Sequence, residues 1–265
     1  MHTSIIVLSY NNLTLTRNFL ESLSPYLRSE TELIIVDDAS TDGSREYLLA
    51  ESHKKKFKLI VNSENIGAAG SRNKALSLCT GERVLLLDND TEVKGDIIGI
   101  LSDKLDHLGV DIVGMCGVYF MDYSHFLHIH HDQFIEDMLI TTVPSYCMMF
   151  RRTLIDRGIK FEENTRIFGE DIDFCLSAKY LGFKCAAVCD IPLVHLEHGS
   201  GTALRDDYLE RINENHVFIR NKWSDKLDLT PSLYSSKVLE LLLKHVSLRI
   251  VLTHKTQDCW FYDIH

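Results

Sequence analysis

The segment Val84-Leu85-Leu86-Leu87-Asp88-Asn89-Asp90 decides how the rest of the chain is read. Four bulky aliphatic residues follow one another without a polar break, the pattern of a strand covered on both faces. Two carboxylates one residue apart come next. Inside a strand they would be buried at high cost, so they belong at its carboxyl-terminal mouth. Open α/β sheets bind ligands at that edge. Paired hard oxygen ligands there suit Mg2+ or Mn2+, held partly by protein and partly by substrate phosphates. A turn or helix-capping Asp pair accounts for the same three residues equally well.

Working outward, strands and helices alternate on both sides of this segment. Ser4–Tyr10 reads as a first buried strand and Leu33–Val36 as a second, the latter ending in the polar turn Asp37-Asp38-Ala39-Ser40-Thr41-Asp42-Gly43-Ser44. Between them, Leu13 to Leu27 places apolar residues at roughly helical spacing. Phe57–Val61 is a third strand. The loop Asn62-Ser63-Glu64-Asn65-Ile66-Gly67 then leads into a helix from Ala68 to Cys79. This alternation predicts a parallel sheet with right-handed crossovers, its polar loops gathered on one edge. A nucleotide-binding half-domain is the natural reading, although neither Gly-x-Gly-x-x-Gly nor a phosphate-loop Gly-x-x-x-x-Gly-Lys-Ser/Thr occurs. Gly67-Ala68-Ala69-Gly70 opens its helix after a loop rather than directly after a strand, which fits close helix packing as well as ligand approach.

Beyond Asp90, a helix is expected from Asp96 to Leu108, and a single strand from Ile112 to Tyr119. The stretch 125–131 holds four His in seven residues, and the alternation His128-Ile129-His130 suits a strand with one polar face. No Cys or carboxylate stands at a zinc-type spacing from them, so a hairpin facing solvent or an acceptor is preferred to a metal site. Further strands are expected at Ser145–Phe150 and Phe183–Cys189. Glu170, Asp171 and Asp173 cluster where a helix begins, a placement that the helix dipole favours in any protein. Arg205 to Trp223 reads as a charged helix. Ser232 to Thr253 reads as an amphipathic one, suited to packing on the domain, to pairing in a homodimer or to lying on a membrane surface.

Composition narrows the class. The 265 residues are 45% hydrophobic and 25% charged, the ordinary globular range. A net charge of -10 with no basic block longer than Lys54-Lys55-Lys56 argues against nucleic acid as partner. Seven Cys, none in a Cys-x-x-Cys pair, read as reduced thiols and a cytoplasmic chain. The first residues do not have the pattern of a signal peptide, and no apolar run reaches membrane-spanning length.

The ordered set of motifs resembles the family 2 glycosyltransferases, inverting enzymes of the GT-A fold. The segments that carry the likeness are Ser4–Asn11, Ile34–Ser44, Asn65–Asn73, Asp88-Asn89-Asp90 and Gly169-Glu170-Asp171. Each alone is weak; their order from Ser4 to Trp223 is the strong signal. The resemblance implies an α/β, Rossmann-like GT-A domain over residues 1–223, with a linker and tail helix over 224–265. It implies transfer of a sugar from a nucleotide-diphosphate donor, UDP- or dTDP-linked by preference, to a hydroxyl of a glycan or lipid-linked saccharide. Surface polysaccharide assembly, cytoplasmic or at the inner face of the plasma membrane, is the setting it suggests.

Roles carried over from the resemblance are specific. Donor binding falls to Ser9, Asn11, Asp38, Asn65, Gly67, Arg72, Asp88 and Asn89, with Asp38 on the base. Asp90, Asp88 and His195 would hold Mn2+ or Mg2+, and His198 is the rival to His195. Asp171 would be the general base, a carboxylate being required to take the acceptor proton during inversion. Acidic neighbours could raise its pKa. Glu170, Asp173 and His198 would touch the acceptor. Two other classes remain open. A nucleotidyltransferase would want a glycine-rich, basic loop near the N-terminus, where Ser9-Tyr10-Asn11-Asn12 stands instead. A non-catalytic binding module would have no need to keep Asp38, Asp88, Asp90, Asp171 and His195 together.

Overall fold

The computed structural model describes residues 2–120, 123, 125–129, 137–165, 169–196, 208–229, 250–255 and 260–264. The first half alternates β1 (Thr3–Ser9), α1 (Leu13–Leu23), β2 (Thr31–Asp37), α2 (Ser44–Lys55), β3 (Lys58–Val61), α3 (Gly67–Leu76) and β4 (Arg83–Asp88). Then come β5 (Thr91–Val93), α4 (Ile97–His107), β6 (Ile112–Gly114), β7 (Gly117–Phe120), β8 (His125–Ile129), β9 (Met138–Ile140) and β10 (Cys147–Arg151). The remainder is α5 (Thr153–Asp156), α6 (Glu170–Tyr180), β11 (Cys185–Ala187), β12 (Leu193–His195), α7 (Tyr208–Trp223), β13 (Ile250–Lys255) and β14 (Trp260–Ile264).

The main sheet runs β3-β2-β1-β4-β10-β6-β11-β9. Strands β1 to β4 are parallel to one another, and β10 enters antiparallel between β4 and β6. The aliphatic run of β4 is covered on both sides, as its sequence requires. Val84 and Leu86 pack with Ile6, Ile34 and Phe150 on one face; Leu85 and Leu87 pack with Ile5, Ile35 and Met149 on the other. Register aligns the carboxyl ends: Ser9 pairs with Asp37 and Leu8 with Asp88. The polar loops therefore meet at one edge. Because β10 runs antiparallel to both β4 and β6, the turn before β10 and the bend after β6 reach that same edge.

Three expectations are corrected. The strand expected over 112–119 is two strands in different sheets. Gly114 lies so close to its neighbours that a Cβ would meet Val143 Cγ1 at 2.1 Å and the Cys147 carbonyl at 2.5 Å, and Gly117 is similarly crowded by the Thr142 carbonyl at 2.5 Å. Glycine permits both approaches, and the chain changes sheets between them. The strand expected over 183–189 is confined to Cys185–Ala187. The tail helix expected over 232–253 is overturned at its end, where Ile250–Lys255 is a strand; 230–249 lies outside the described residues. β-Branched Ile250, Val251 and Thr253 suit that strand, whose ladder with β14 outweighs helical periodicity.

The histidine-rich segment is part of the same small sheet. Strand β8 pairs antiparallel with β7 and parallel with β14, in the order β13-β14-β8-β7. It is a strand of a hairpin, as expected, while His130 and His131 lie outside the described residues. The six described cysteines are buried, and no disulfide joins any of them. No helix among the described residues is long and apolar enough to cross a membrane.

Candidate active site

Two loops at the sheet edge are stapled to each other before any ligand is considered. Asn11, in the left-handed region at φ 57°, donates its N–H to Ser40 Oγ at 2.8 Å and accepts from Thr41 N–H through Oδ1 at 2.8 Å. The hydroxyls of Ser9 and Thr16 stand 3.1 Å apart, and Asn89 Nδ2 donates to Thr16 Oγ1 at 2.9 Å. Thr16, which no motif singles out, thus ties Ser9 to Asn89.

Asp38 organises the next loop. Its Oδ1 accepts from Asn62 Nδ2 at 2.8 Å and Ile66 N–H at 3.0 Å, and its Oδ2 from Gly67 N–H at 2.9 Å. Gly67 has φ 81°, a conformation that favours glycine, and it opens α3. Asn65 is exposed at the rim of this loop. Three donors fix Asp38 as the anchor of residues 62–67, a role local sequence does not reveal.

Helix α3 delivers Arg72 into the middle of the edge. Only 3% exposed, it donates from Nη1 to Glu170 Oε1 at 2.7 Å and from Nη2 to Asp88 Oδ1 at 3.0 Å. Its guanidinium also lies 5.6 Å from the Phe161 ring centroid. Glu170 is therefore a partner of Arg72. Beside it, Asp171 in the first turn of α6 accepts from Ile172 N–H at 2.8 Å and Ser145 N–H at 3.3 Å. Burial, reinforced by the Glu170 charge and opposed by Arg72, pushes the Asp171 carboxyl up to about 7.

Strand pairing brings the remaining two groups together across 105 positions of sequence, from Asp90 to His195. Strand β12 pairs with β5 so that His195 faces Thr91, and Leu196 N–H donates to the Asp90 carbonyl at 2.8 Å. His195 Nε2 then stands 3.5 Å from Asp90 Oδ1, a buried oxygen with no hydrogen-bond partner among the described residues. An orphaned carboxylate oxygen facing an imidazole nitrogen is a donor pair suited to Mn2+. Asp88 is turned instead toward Arg72, and among the described residues no three His, Cys, Asp or Glu side chains converge on one point. The residues present fit a divalent cation that takes two protein ligands here and others from a substrate diphosphate or water.

Not every expected residue reaches this edge. Asp173, expected to touch an acceptor, has both oxygens engaged by α7: Trp223 Nε1 donates to Oδ1 at 2.7 Å and Lys222 Nζ to Oδ2 at 3.0 Å. Its position on α6 explains this, since two residues along a helix turn a side chain to nearly the opposite face from Asp171. His198 lies outside the described residues. Sequence reading missed Tyr146, whose ring stacks on His195 at 4.1 Å between centroids and 9° between planes.

A mostly parallel sheet flanked by helices, with these carboxylates gathered at its carboxyl edge, is the GT-A architecture. The model of glycosyl transferase family 2 matches residues 4–166, and the chain belongs to that family. The succinoglycan biosynthesis protein ExoO of Rhizobium meliloti is 25% identical over 245 residues, 84% of this chain and 70% of that protein. The putative teichuronic acid biosynthesis glycosyltransferase TuaG of Bacillus subtilis is 38% identical over 94 residues, 35% of this chain and 37% of its own. Among solved structures, S. aureus TarS matches with a TM-score of 0.60 at 22% identity, covering 93% of this chain and 44% of that one. The mannosyltransferase PcManGT of Pyrobaculum calidifontis, in complex with GDP-Man and Mn2+, matches at 0.58 and 19%, covering 93% and 75%. The match thus covers less than half the length of TuaG or TarS.

Proposed function

We propose that the protein is a metal-dependent inverting glycosyltransferase. It moves a sugar from a nucleotide-diphosphate donor, UDP- or dTDP-linked, to a hydroxyl of a glycan or lipid-linked acceptor in polysaccharide biosynthesis. The observation that carries this reading is the facing of Asp90 Oδ1 and His195 Nε2 at 3.5 Å, on the same sheet edge as a carboxyl raised to about 7. Relatives named for succinoglycan and teichuronic acid biosynthesis support the polysaccharide setting, and complexes of structural neighbours with GDP-Man and Mn2+ or with UDP-GlcNAc support the donor class.

Each residue has a defined task in this reading. Asp171, ionised, accepts the proton of the acceptor hydroxyl as that oxygen bonds to the anomeric carbon. The bond from that carbon to the diphosphate oxygen breaks on the opposite face, and the nucleoside diphosphate departs. A divalent cation held by Asp90 and His195 would supply charge neutralisation to the departing diphosphate. Arg72 holds Asp88 and Glu170 apart from the reacting proton and keeps a positive charge between the two sides of the edge. The anchored loop 62–67 and the stapled 9–16 and 39–42 turns form the wall for the nucleotide.

Thermal unfolding with Mn2+ and UDP, dTDP, GDP, CDP or ADP tests this function. A ligand at a hundredfold excess over its Kd adds about 2.7 kcal/mol to folded stability. A rise in Tm with UDP or dTDP that needs Mn2+ and disappears in Asp90→Ala is the expected result. A response to GDP alone would overturn the pyrimidine preference. Absence of any response would overturn the donor class.

A further inference from the structure

The turn Ser145-Tyr146 lies outside every motif, yet it touches Asp171, Asp88 and His195. Ser145 N–H donates to Asp171 Oδ2 at 3.3 Å, and Asp88 N–H donates to the Tyr146 carbonyl at 3.3 Å. The Tyr146 ring lies flat on the His195 imidazole, 4.1 Å between centroids and 9° from parallel. On its far end the Tyr146 hydroxyl meets Cys116 Sγ at 2.7 Å, in the bend between β6 and β7.

His195 ends the three-residue strand β12, and its side chain is 26% exposed. A terminal imidazole torsion is broad and holds no fixed plane by itself. A flat aromatic face at contact distance does restrict it, because tilting the imidazole would drive its edge into the phenol ring. The phenol is held in turn by its own main chain on β4 and by Cys116 at its tip. The geometry points to Tyr146 as the positioning residue that fixes the plane of His195, so that Nε2 is aimed at Asp90 Oδ1. This inference rests on the reading of Asp90 and His195 as the cation-holding pair. Groups that orient a metal ligand are commonly worth ten- to a hundredfold in metal affinity.

The test is Mn2+ affinity of the intact protein, read from the electron paramagnetic resonance signal of free Mn2+ at saturating UDP. His195→Ala calibrates the loss of the imidazole. Tyr146→Phe keeps the stacked face and should bind Mn2+ within about twofold of the parent. Tyr146→Leu keeps apolar bulk without the flat face and should weaken binding about ten- to a hundredfold. Its turnover should recover when Mn2+ is raised, with kcat restored and the apparent KM for Mn2+ increased. Parent-like affinity in Tyr146→Leu overturns the positioning role while leaving the cation site standing. Lost affinity in Tyr146→Phe also overturns it, since the ring face would then not be what matters. Unchanged affinity in His195→Ala overturns the cation-site reading itself, and this inference with it.

Discussion

Arg72 and Glu170 are 98 residues apart in sequence and joined by a 2.7 Å hydrogen bond in the folded protein. The same guanidinium reaches Asp88 at 3.0 Å. One buried cation thus links the end of the central strand to the start of the helix that carries the candidate base.

Removing that cation should damage both fold and chemistry. Arg72→Leu leaves the Glu170 carboxylate buried without its partner, and breaking a buried pair costs about 3–5 kcal/mol. Arg72→Lys keeps a charge but loses the fork that bonds two carboxylates at once. Because the Arg72 charge holds the Asp171 carboxyl down, Arg72→Leu should move the acidic limb of the kcat/KM profile to higher pH, and Arg72→Lys by less. Thermal unfolding of both variants and a pH–rate profile of Arg72→Leu check the two effects. An unmoved limb would show that Arg72 does not act on Asp171.

Asp171 carries a pH signature of its own. Its carboxyl titrates at about 7 because burial and Glu170 disfavour the charged form. Only the ionised form accepts a proton, so kcat/KM should fall about tenfold per pH unit below that value and level off above it. Stability moves the other way. The folded protein holds this proton more tightly than the unfolded chain, so the stabilising contribution is complete below the ordinary value of 3.8 and is lost as pH rises through about 7. Asp171→Asn should therefore gain in Tm relative to the parent between pH 4 and pH 8, while losing about a hundredfold or more in kcat.

The contrast between Asp171 and Asp38 shows what could be read from sequence. Hydrophobic periodicity located β1, β2 and β4 because those strands are buried on both faces, and an unbroken aliphatic run is stable in water only when both its faces are covered. The aliphatic run of β4 put Asp88 and Asp90 at the carboxyl edge because parallel strands deliver their loops there, whereas His195 arrives on the antiparallel β12–β5 pair and Asp171 on the first turn of α6. Contacts between distant segments were not readable. Nothing local links Arg72 to Glu170, Tyr146 to His195 or Asp173 to Trp223, since each pair is made by packing rather than spacing. The strand at Ile250–Lys255 misled for the same reason: its partner β14 is paired with β8, more than 130 residues earlier.

Asp38→Ala separates loop anchoring from base contact. The substitution strips acceptors from Asn62 Nδ2, Ile66 N–H and Gly67 N–H together. Each donor left unsatisfied costs about 1–3 kcal/mol where water cannot reach it. The ligand-free protein should lose Tm, and donor KM should rise because residues 62–67 no longer hold one shape. A variant with unchanged ligand-free Tm and raised KM would show that Asp38 serves the nucleotide alone.

Asp173 offers the opposite test, of a carboxylate that sequence pattern suggested for the acceptor and that the fold uses elsewhere. It is 1% exposed and receives Trp223 Nε1 at 2.7 Å and Lys222 Nζ at 3.0 Å, joining α6 to α7. Lys222 keeps a second partner in Glu162 at 2.7 Å, so Asp173→Ala orphans chiefly the Trp223 indole. Loss of one buried hydrogen-bond partner should cost about 1–3 kcal/mol. Urea unfolding should show a lower midpoint with an unchanged slope. At a temperature where both proteins are fully folded, kcat and acceptor KM should match the parent within about twofold, since no interaction that changes toward the transition state has been removed. A large rise in acceptor KM at unchanged stability would return Asp173 to the acceptor site.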